Sequence, residues 1–204
     1  MEHERKDNEF ITTYRALIKR DGADKLLDYL INKSDFFTAP ASSKFHCDYE
    51  GGLCAHSLNV YHRLLALLQA EYGEGWKDIY SPETVAVVGL LHDVCKINYY
   101  EVDYRNVNNK DTGAWEKVPY YRVEDKLPYG HGEKSVYIIT GFMRLSREEA
   151  MAINWHMGGF DDRVRGGSYT VGVAFQEYPL AVLTHTADFL ATYLDEKREK
   201  EEDV

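Results

Sequence analysis

Apolar residues recur every three or four positions along most of the chain, which predicts a largely helical protein. Amphipathic helices are expected in an N-terminal helical extension over residues 9–33, and a loop containing Pro40 follows it. A long helix is expected after Gly51 and Gly52. One face of that helix carries His56, Val60, Leu64 and Leu67 by their spacing.

The next predicted helix begins at Ser81 and Pro82, because a hydroxyl N-cap followed by proline is typical of a first helical turn. Its apolar residues continue to Leu91. His92 and Asp93 then follow directly. The pattern therefore places a polar pair at the end of an apolar helix.

Residues 98–129 have a different pattern, in which aromatic or apolar residues alternate with charged ones. Such alternation is typical of strands, residues 108–113 have the composition of a turn, and Pro119 indicates an edge strand. The pattern predicts a β-hairpin insertion. We expect its rings to pack the hairpin onto the helices; the alternatives are that they stack bases beside the cations of the hairpin or form a homodimer contact.

The rest of the chain returns to helical spacing. Helices are expected over residues 132–145, after a capping box at residues 146–149, and over residues 179–197. Residues 160–176 are predicted to form a loop rich in glycine and arginine, and residues 195–204 a solvated charged tail. The fold class predicted is all-α, a helical bundle with one hairpin insertion, in a single domain over residues 1–204.

Composition narrows the function. The chain has 204 residues, which suits one domain with a sizeable core, and its net charge is −10. A protein that binds long duplex nucleic acid is expected to be basic, so this class is disfavoured. The start is too charged for a signal peptide, no apolar run is long enough for a membrane span, and Cys47, Cys54 and Cys95 have no Cys-x-x-Cys spacing. We expect a cytoplasmic protein with reduced thiols.

The pair of His92 and Asp93 carries the chemistry. Polar groups in apolar surroundings are unfavourable unless something binds them, and a metal ion is the usual partner of an imidazole beside a carboxylate. His56 lies on an apolar helix face, and Asp188 lies between small and apolar neighbours. A core histidine satisfied by a neighbour and a solvated aspartate are the respective alternatives.

Four further residues join this set with their own alternatives. His131 lies between Gly130 and Gly132, and His156 ends a predicted helix before two glycines. Each is either a metal ligand or a polar residue at the end of an element. Lys96 is four residues after His92 and either contacts phosphate or is a surface lysine favoured by the helix dipole. His46 either contacts substrate or acts as a proton donor, and the alternative is a structural hydrogen bond in its loop.

The ordered set resembles a known family. A histidine, then His-Asp, then a distant aspartate, each on its own helix, is similar to the HD superfamily of metal-dependent phosphohydrolases. The segment from Phe45 to Ser57, with its Gly-Gly-Leu lead-in to His56, resembles the first metal histidine region of HD-domain 3′-to-5′ exoribonucleases. The doublet followed by Lys96, and Ala187 before Asp188, extend the resemblance over about residues 36–192.

The resemblance implies roles for these residues. His56, His92, Asp93 and Asp188 would bind one divalent metal ion, while His131 and His156 would bind a second that Asp93 bridges. Mixed histidine and carboxylate ligands suit manganese, iron, cobalt, nickel or zinc better than calcium. Two such ions clamp a phosphoryl oxygen and lower the pKa of a water. Arg163 and Arg165 are expected either to close over an anionic substrate or to lie in a mobile surface loop.

The expected function is hydrolysis of a phosphate ester or phosphodiester. No nucleic-acid-binding domain such as an OB-fold precedes the matching segment, and the net charge is negative. A nucleotide, another phosphorylated small molecule or a short oligonucleotide is therefore a better substrate than long RNA. The alternatives are a di-iron oxygenase of the HD type and a catalytically silent metal- or nucleotide-binding module.

Overall fold

The fold is known from a computed structural model, which describes residues 2–110 and 112–196. These residues are mostly helical, and they include one antiparallel β-hairpin. The helices are α1 Glu2–Leu17, α2 Ala23–Asn32, α3 Gly52–Tyr72, α4 Trp76–Ile79, α5 Pro82–Leu91, α6 His131–Thr140, α7 Arg147–Asn154, α8 Asp162–Arg165, α9 Thr170–Glu177 and α10 Pro179–Leu190. The strands are β1 Tyr100–Asn108 and β2 Trp115–Val123.

The core is built around α5. Every residue of this helix from Val85 to Leu91 is buried, so it lies inside the bundle rather than on its surface. Helix α3 packs against α5 on one side and α10 on another, while α10 also contacts α7. Helix α1 covers α3 and α5. The end of α5 therefore opens into the centre of the molecule, where polar groups are shielded from water.

Two predicted helix starts are confirmed. The Ser81 hydroxyl accepts a hydrogen bond from the Thr84 backbone N–H over 3.1 Å. Ser146 accepts from the Glu149 N–H, and the Glu149 carboxylate accepts from the Ser146 N–H over 2.8 Å, which completes the capping box. Such caps satisfy backbone N–H groups that have no partner within the helix.

The predicted hairpin is confirmed, with Tyr100 opposite Val123 and Asn108 opposite Trp115. The expectation that its rings pack onto the helices is wrong for much of its length. The Tyr104 and Trp115 side chains are 62% and 73% exposed. Tyr100 and Tyr121, near the base of the hairpin, are half-buried, and their ring centroids lie 6.3 Å apart.

The structure corrects several predicted boundaries. Thr170–Glu177 is a helix although residues 160–176 were expected to form a loop; Ala174 is its only buried residue, so its apolar periodicity is weak. Helix α6 ends at Thr140, and α10 ends at Leu190 and continues as a π-helical turn over Ala191–Asp195. Residues 197–204, which include most of the expected charged tail, lie outside the described residues, as does Asp111 of the hairpin turn.

Two further observations concern the surface and the thiols. Among the described residues no helix combines the length and apolar character needed to cross a membrane. Cys47, Cys54 and Cys95 are buried and unpaired with one another.

Candidate metal centre

Two glycines shape the entry to α3 and so place His56. Gly51 has φ +79°, which favours glycine, and a Cβ on Gly52 would lie 1.9 Å from the carbonyl oxygen of Cys47. The preceding loop therefore passes directly against the first turn of α3, and His56 projects from that turn into the core with no exposed surface. The Gly-Gly lead-in is a packing requirement for this histidine.

A close contact between α6 and α7 places the other histidines. Gly132 approaches so near to the end of α7 that a Cβ on it would lie 2.2 Å from the carbonyl oxygen of Asn154. His131 begins α6, and His156 follows α7. Their ring centroids are 5.4 Å apart.

Asp93 joins the two groups of histidines, with a different oxygen toward each. Its Oδ2 lies 3.4 Å from Nε2 of His56 and 3.7 Å from Nε2 of His92. Its Oδ1 lies 2.9 Å from Nε2 of His131 and 3.3 Å from Nε2 of His156. A carboxylate that divides its oxygens in this way is able to bridge two cations.

Asp188 completes the first group. Its Oδ1 lies 3.2 Å from Nε2 of His56, and its side chain is 15% exposed, so it is not a solvated surface residue. The set of His56, His92 and Asp188 has ligand atoms all within 4.8 Å of one another, as does the set of His92, Asp93 and His156. His131, whose side chain is 27% exposed, joins them through Asp93 Oδ1, so all six predicted metal ligands lie together in one largely buried cluster.

Three of the imidazoles are held by their outer nitrogen. Nδ1–H of His92 donates to the Gly89 carbonyl over 2.9 Å, and Nδ1–H of His156 donates to the Ile153 carbonyl over 2.6 Å. Nδ1 of His56 faces the Glu196 carboxylate, 3.0 Å away. In neutral rings these bonds leave the lone pair on Nε2, which points into the cluster, as is common in metal sites.

This arrangement fits a cation. Nε2 of His56 and Nε2 of His92 face each other over 3.3 Å, and two lone pairs at that distance repel unless a proton or a metal ion lies between them. Nε2 of His156 is buried without a hydrogen-bond partner among the described residues, and in the neutral ring its lone pair faces Oδ1 of Asp93, another acceptor, over 3.3 Å. Buried polar atoms without partners are unfavourable, and a bound ion removes the penalty.

The pKa shifts follow from the same crowding. Burial lowers the pKa of His92 to about 3, so this ring is neutral and its Nε2 is an acceptor. Burial also opposes charge on His56, but Glu196, Asp188 and Asp93 outweigh it and raise the pKa of His56 well above its usual value. Burial likewise opposes ionisation of Asp93, but Lys96 and the surrounding histidines hold its pKa well below the usual range. The cluster thus supplies negative charge for a cation.

Lys96 is closer to the cluster than a surface lysine would be. Its Nζ lies 2.5 Å from Asp93 Oδ2, and its side chain is 9% exposed. It lies in a 3₁₀ turn over Val94–Lys96, which follows α5. Burial opposes its charge, but Asp93 outweighs burial and raises the pKa of Lys96. Lys96 therefore places a fixed positive charge beside the cluster.

His46 borders the same cluster. Its ring lies 4.9 Å from that of His56, and its Nε2 is buried without a hydrogen-bond partner among residues 2–110 and 112–196. Burial lowers the pKa of His46 to about 4, so the ring is neutral at physiological pH.

Sequence reasoning missed two residues at the site. Glu196 was assigned to the solvated tail, yet its carboxylate is buried against His56 and also accepts a hydrogen bond from Asn59 over 2.8 Å. Cys95 has its Sγ 3.4 Å from Nε2 of His131; burial raises the pKa of this thiol, so it stays protonated. The position of Cys95, two residues after Asp93, is a signal that could have identified it. Nothing in the sequence distinguishes Glu196 from the other acids near it.

The two candidate substrate arginines lie elsewhere. The Arg163 guanidinium is engaged by Asp161 and Glu133, each over 2.7 Å, and by the Trp155 ring, 4.0 Å from its centroid. Its donors are used within the protein, so a structural role explains it better than substrate binding. Arg165 has a 61% exposed side chain and lies over the Phe160 ring.

The remaining histidines have simple placements. Nδ1–H of His185 donates to the His156 carbonyl over 2.7 Å, so His185 supports a cluster residue through its backbone. His62 is exposed and lies 2.8 Å from Glu9. His3 lies within α1, where its ring is next to Gly51.

Comparisons of the chain with models of protein families, with curated proteins and with solved structures give no match.

Proposed function

We propose that this protein is a metal-dependent phosphohydrolase or phosphodiesterase of the HD type, with two divalent transition-metal ions at the cluster around Asp93. The observation that carries the proposal is the division of the Asp93 oxygens, Oδ2 toward His56 and His92 and Oδ1 toward His131 and His156. A site for a single ion would not need a carboxylate directed both ways.

His56, His92 and Asp188 would hold one ion, His131 and His156 the other, and Asp93 both. Such a pair of ions, when bound, supplies Lewis acidity toward a phosphoryl oxygen and lowers the pKa of a water. The protein contributes fixed ligands, because the Nδ1 bonds of His92 and His156 hold those rings in place before any substrate arrives. Burial of the cluster strengthens every charge interaction within it.

The charged and polar neighbours favour an anionic substrate. The Lys96 ammonium, fixed beside Asp93, attracts a phosphate group and offsets negative charge that develops during its transfer. Nε2 of His46 faces no partner among the described residues, so it is available to hydrogen-bond a substrate oxygen. Because burial lowers its pKa to about 4, we assign His46 hydrogen bonding rather than proton donation, and water protonates the leaving group.

The test is metal analysis followed by turnover. Protein purified without chelator and loaded with Mn²⁺ is expected to hold two ions per chain and to hydrolyse nucleotide phosphoesters or a generic phosphodiester. His92→Ala and Asp93→Ala are expected to lose both properties, while His62→Ala, which removes an exposed imidazole, keeps them. A protein that cannot be loaded with metal contradicts the proposal at its first step.

The same preparation separates the alternatives. Oxygen consumption by iron-loaded protein with no hydrolysis of any phosphate ester would identify a di-iron oxygenase. Metal binding and nucleotide binding with neither reaction would identify a silent binding module. The buried ammonium of Lys96 next to Asp93 favours phosphate chemistry over oxygen activation.

A further inference from the structure

A cleft of about 550 Å³ lies between the loop over residues 43–49 and the β-hairpin. Tyr49 of the loop and Tyr120 and Tyr121 of β2 line it, together with the cations Lys44 and Arg105. Small-molecule sites commonly occupy roughly 300–1,000 Å³, so the cleft is large enough for a nucleotide. Nothing in the mechanism proposed above uses it.

Among the described residues neither Lys44 nor Arg105 forms an ion pair, whereas Arg122 on the same hairpin pairs with Glu101. Arg105 instead lies 5.7 Å from the centroid of the Tyr120 ring. In a chain of net charge −10, two unpaired cations beside several rings favour a ligand that is both anionic and aromatic.

Both walls of the cleft continue to the candidate metal centre. On the loop side, the next residues include His46, whose ring is 4.9 Å from that of His56. On the hairpin side, the Tyr121 ring lies 6.3 Å from that of Tyr100, and Tyr100 is a near neighbour of Lys96. The cleft is therefore adjacent to two residues that border the cluster, His46 on the loop side and Tyr100 on the hairpin side.

We infer that this cleft binds the nucleoside next to the scissile phosphate of a short single-stranded oligonucleotide. The base stacks on the tyrosine rings, and Lys44 and Arg105 bind the adjoining phosphate. The inference rests on the proposed function, since it assigns the part of the substrate that does not react.

The experiment compares a 5′-phosphorylated dinucleotide with the same 5′-phosphorylated sugar–phosphate diester lacking both bases, using Mn²⁺-loaded protein. The expected kcat/KM is at least about 10-fold higher for the dinucleotide, the scale of one stacked base. In Tyr120→Leu this preference falls, because the base loses a stacking partner. In the double variant Lys44→Ala, Arg105→Ala, kcat/KM falls for both diesters, because both carry the phosphates. Lys110→Ala with Lys117→Ala is the matched control, because it removes two hairpin cations that do not line the cleft.

The outcomes are distinct. Equal kcat/KM for the two diesters, an unchanged preference in Tyr120→Leu, or an unchanged kcat/KM in the double cation variant overturns the inference while the hydrolase proposal stands. If the protein hydrolyses neither diester nor any nucleotide phosphomonoester, the hydrolase proposal is overturned. Equilibrium dialysis of the dinucleotide then still tests the cleft, because weaker binding in Arg105→Ala than in Lys117→Ala supports it and equal binding overturns it. Metal content and circular dichroism of each variant verify that it folds.

Discussion

Glu196 faces Nδ1 of His56 over 3.0 Å, although 140 residues separate the two along the chain. The π-helical turn at the end of α10 brings them together, and the ion pair of Arg63 with Asp195 joins that turn to α3. Asn59 holds the other carboxylate oxygen. Because a carboxylate on Nδ1 orients the ring and increases its basicity, Glu196 acts as a positioning residue for His56.

Glu196→Ala is therefore expected to weaken metal binding about 10- to 100-fold, and Glu196→Gln, which keeps an acceptor, by less. Competition with a chelator measures the affinity independently of turnover. The matched control is Glu9→Ala, because Glu9 pairs with the exposed imidazole of His62. Unchanged metal affinity in Glu196→Ala would show that the contact is only structural.

The contrast between Glu196 and His56 shows what the sequence reveals. His56 is a polar residue on an apolar helix face, an exception that periodicity alone exposes. Glu196 lies in a run of charges, and its position depends on a π-helical turn that no local pattern predicts. Sequence patterns therefore identify a buried metal ligand more readily than the residue that orients it.

The fold was predictable where local signals were strong and not where tertiary contacts decide. Ser81 and Ser146 start helices through caps made by their own side chains. Helix α9 buries only Ala174 and contains Gly172, so neither periodicity nor propensity indicates it. The exposure of Trp115 likewise depends on how far the hairpin extends beyond the bundle, which its alternating pattern does not state.

The two groups of histidines predict different metal stoichiometries for different variants. His156→Ala removes a ligand from the Oδ1 side of Asp93. Each chain is then expected to keep one of its two metal ions. Asp93→Asn removes the shared negative charge and is expected to leave neither ion tightly bound. Elemental analysis after gel filtration gives both ratios. Equal metal content in His156→Ala and wild type would contradict two separate positions.

Gly132 is predicted to be indispensable for joining α6 to α7. A Cβ there would lie 2.2 Å from the Asn154 carbonyl, so Gly132→Ala is expected to destabilise the fold by about 2 kcal/mol and to weaken metal binding by displacing His131. Gly172→Ala is the control, because a Cβ there meets nothing within 4 Å. In helix α9 it should instead stabilise by about 0.5 kcal/mol. Urea unfolding measures the stability of both variants. An unchanged free energy of unfolding in Gly132→Ala would refute the close contact.

Glu149 is predicted to make stability depend on acidic pH. Its buried carboxylate accepts two hydrogen bonds from the Arg20 guanidinium, each over 2.7 Å, and one from the Ser146 N–H. Burial opposes ionisation, but these contacts outweigh it and lower the pKa of Glu149 below its usual 4.5. A carboxyl with a lowered folded pKa contributes stability above its unfolded pKa, and that contribution is lost as pH falls through the folded value.

Glu149→Gln is accordingly expected to cost about 3 kcal/mol at pH 7, because Arg20 loses its buried partner. The difference from wild type should stay constant down to about pH 4.5 and shrink below it, as protonation removes the charge from the wild-type carboxyl as well. Urea titrations at several pH values measure this difference. Glu101→Gln, which removes an exposed partner of Arg122, serves as the control and should cost less than about 1 kcal/mol. A deficit in Glu149→Gln that persists undiminished at pH 3 would mean that packing, rather than the ion pair, makes Glu149 important.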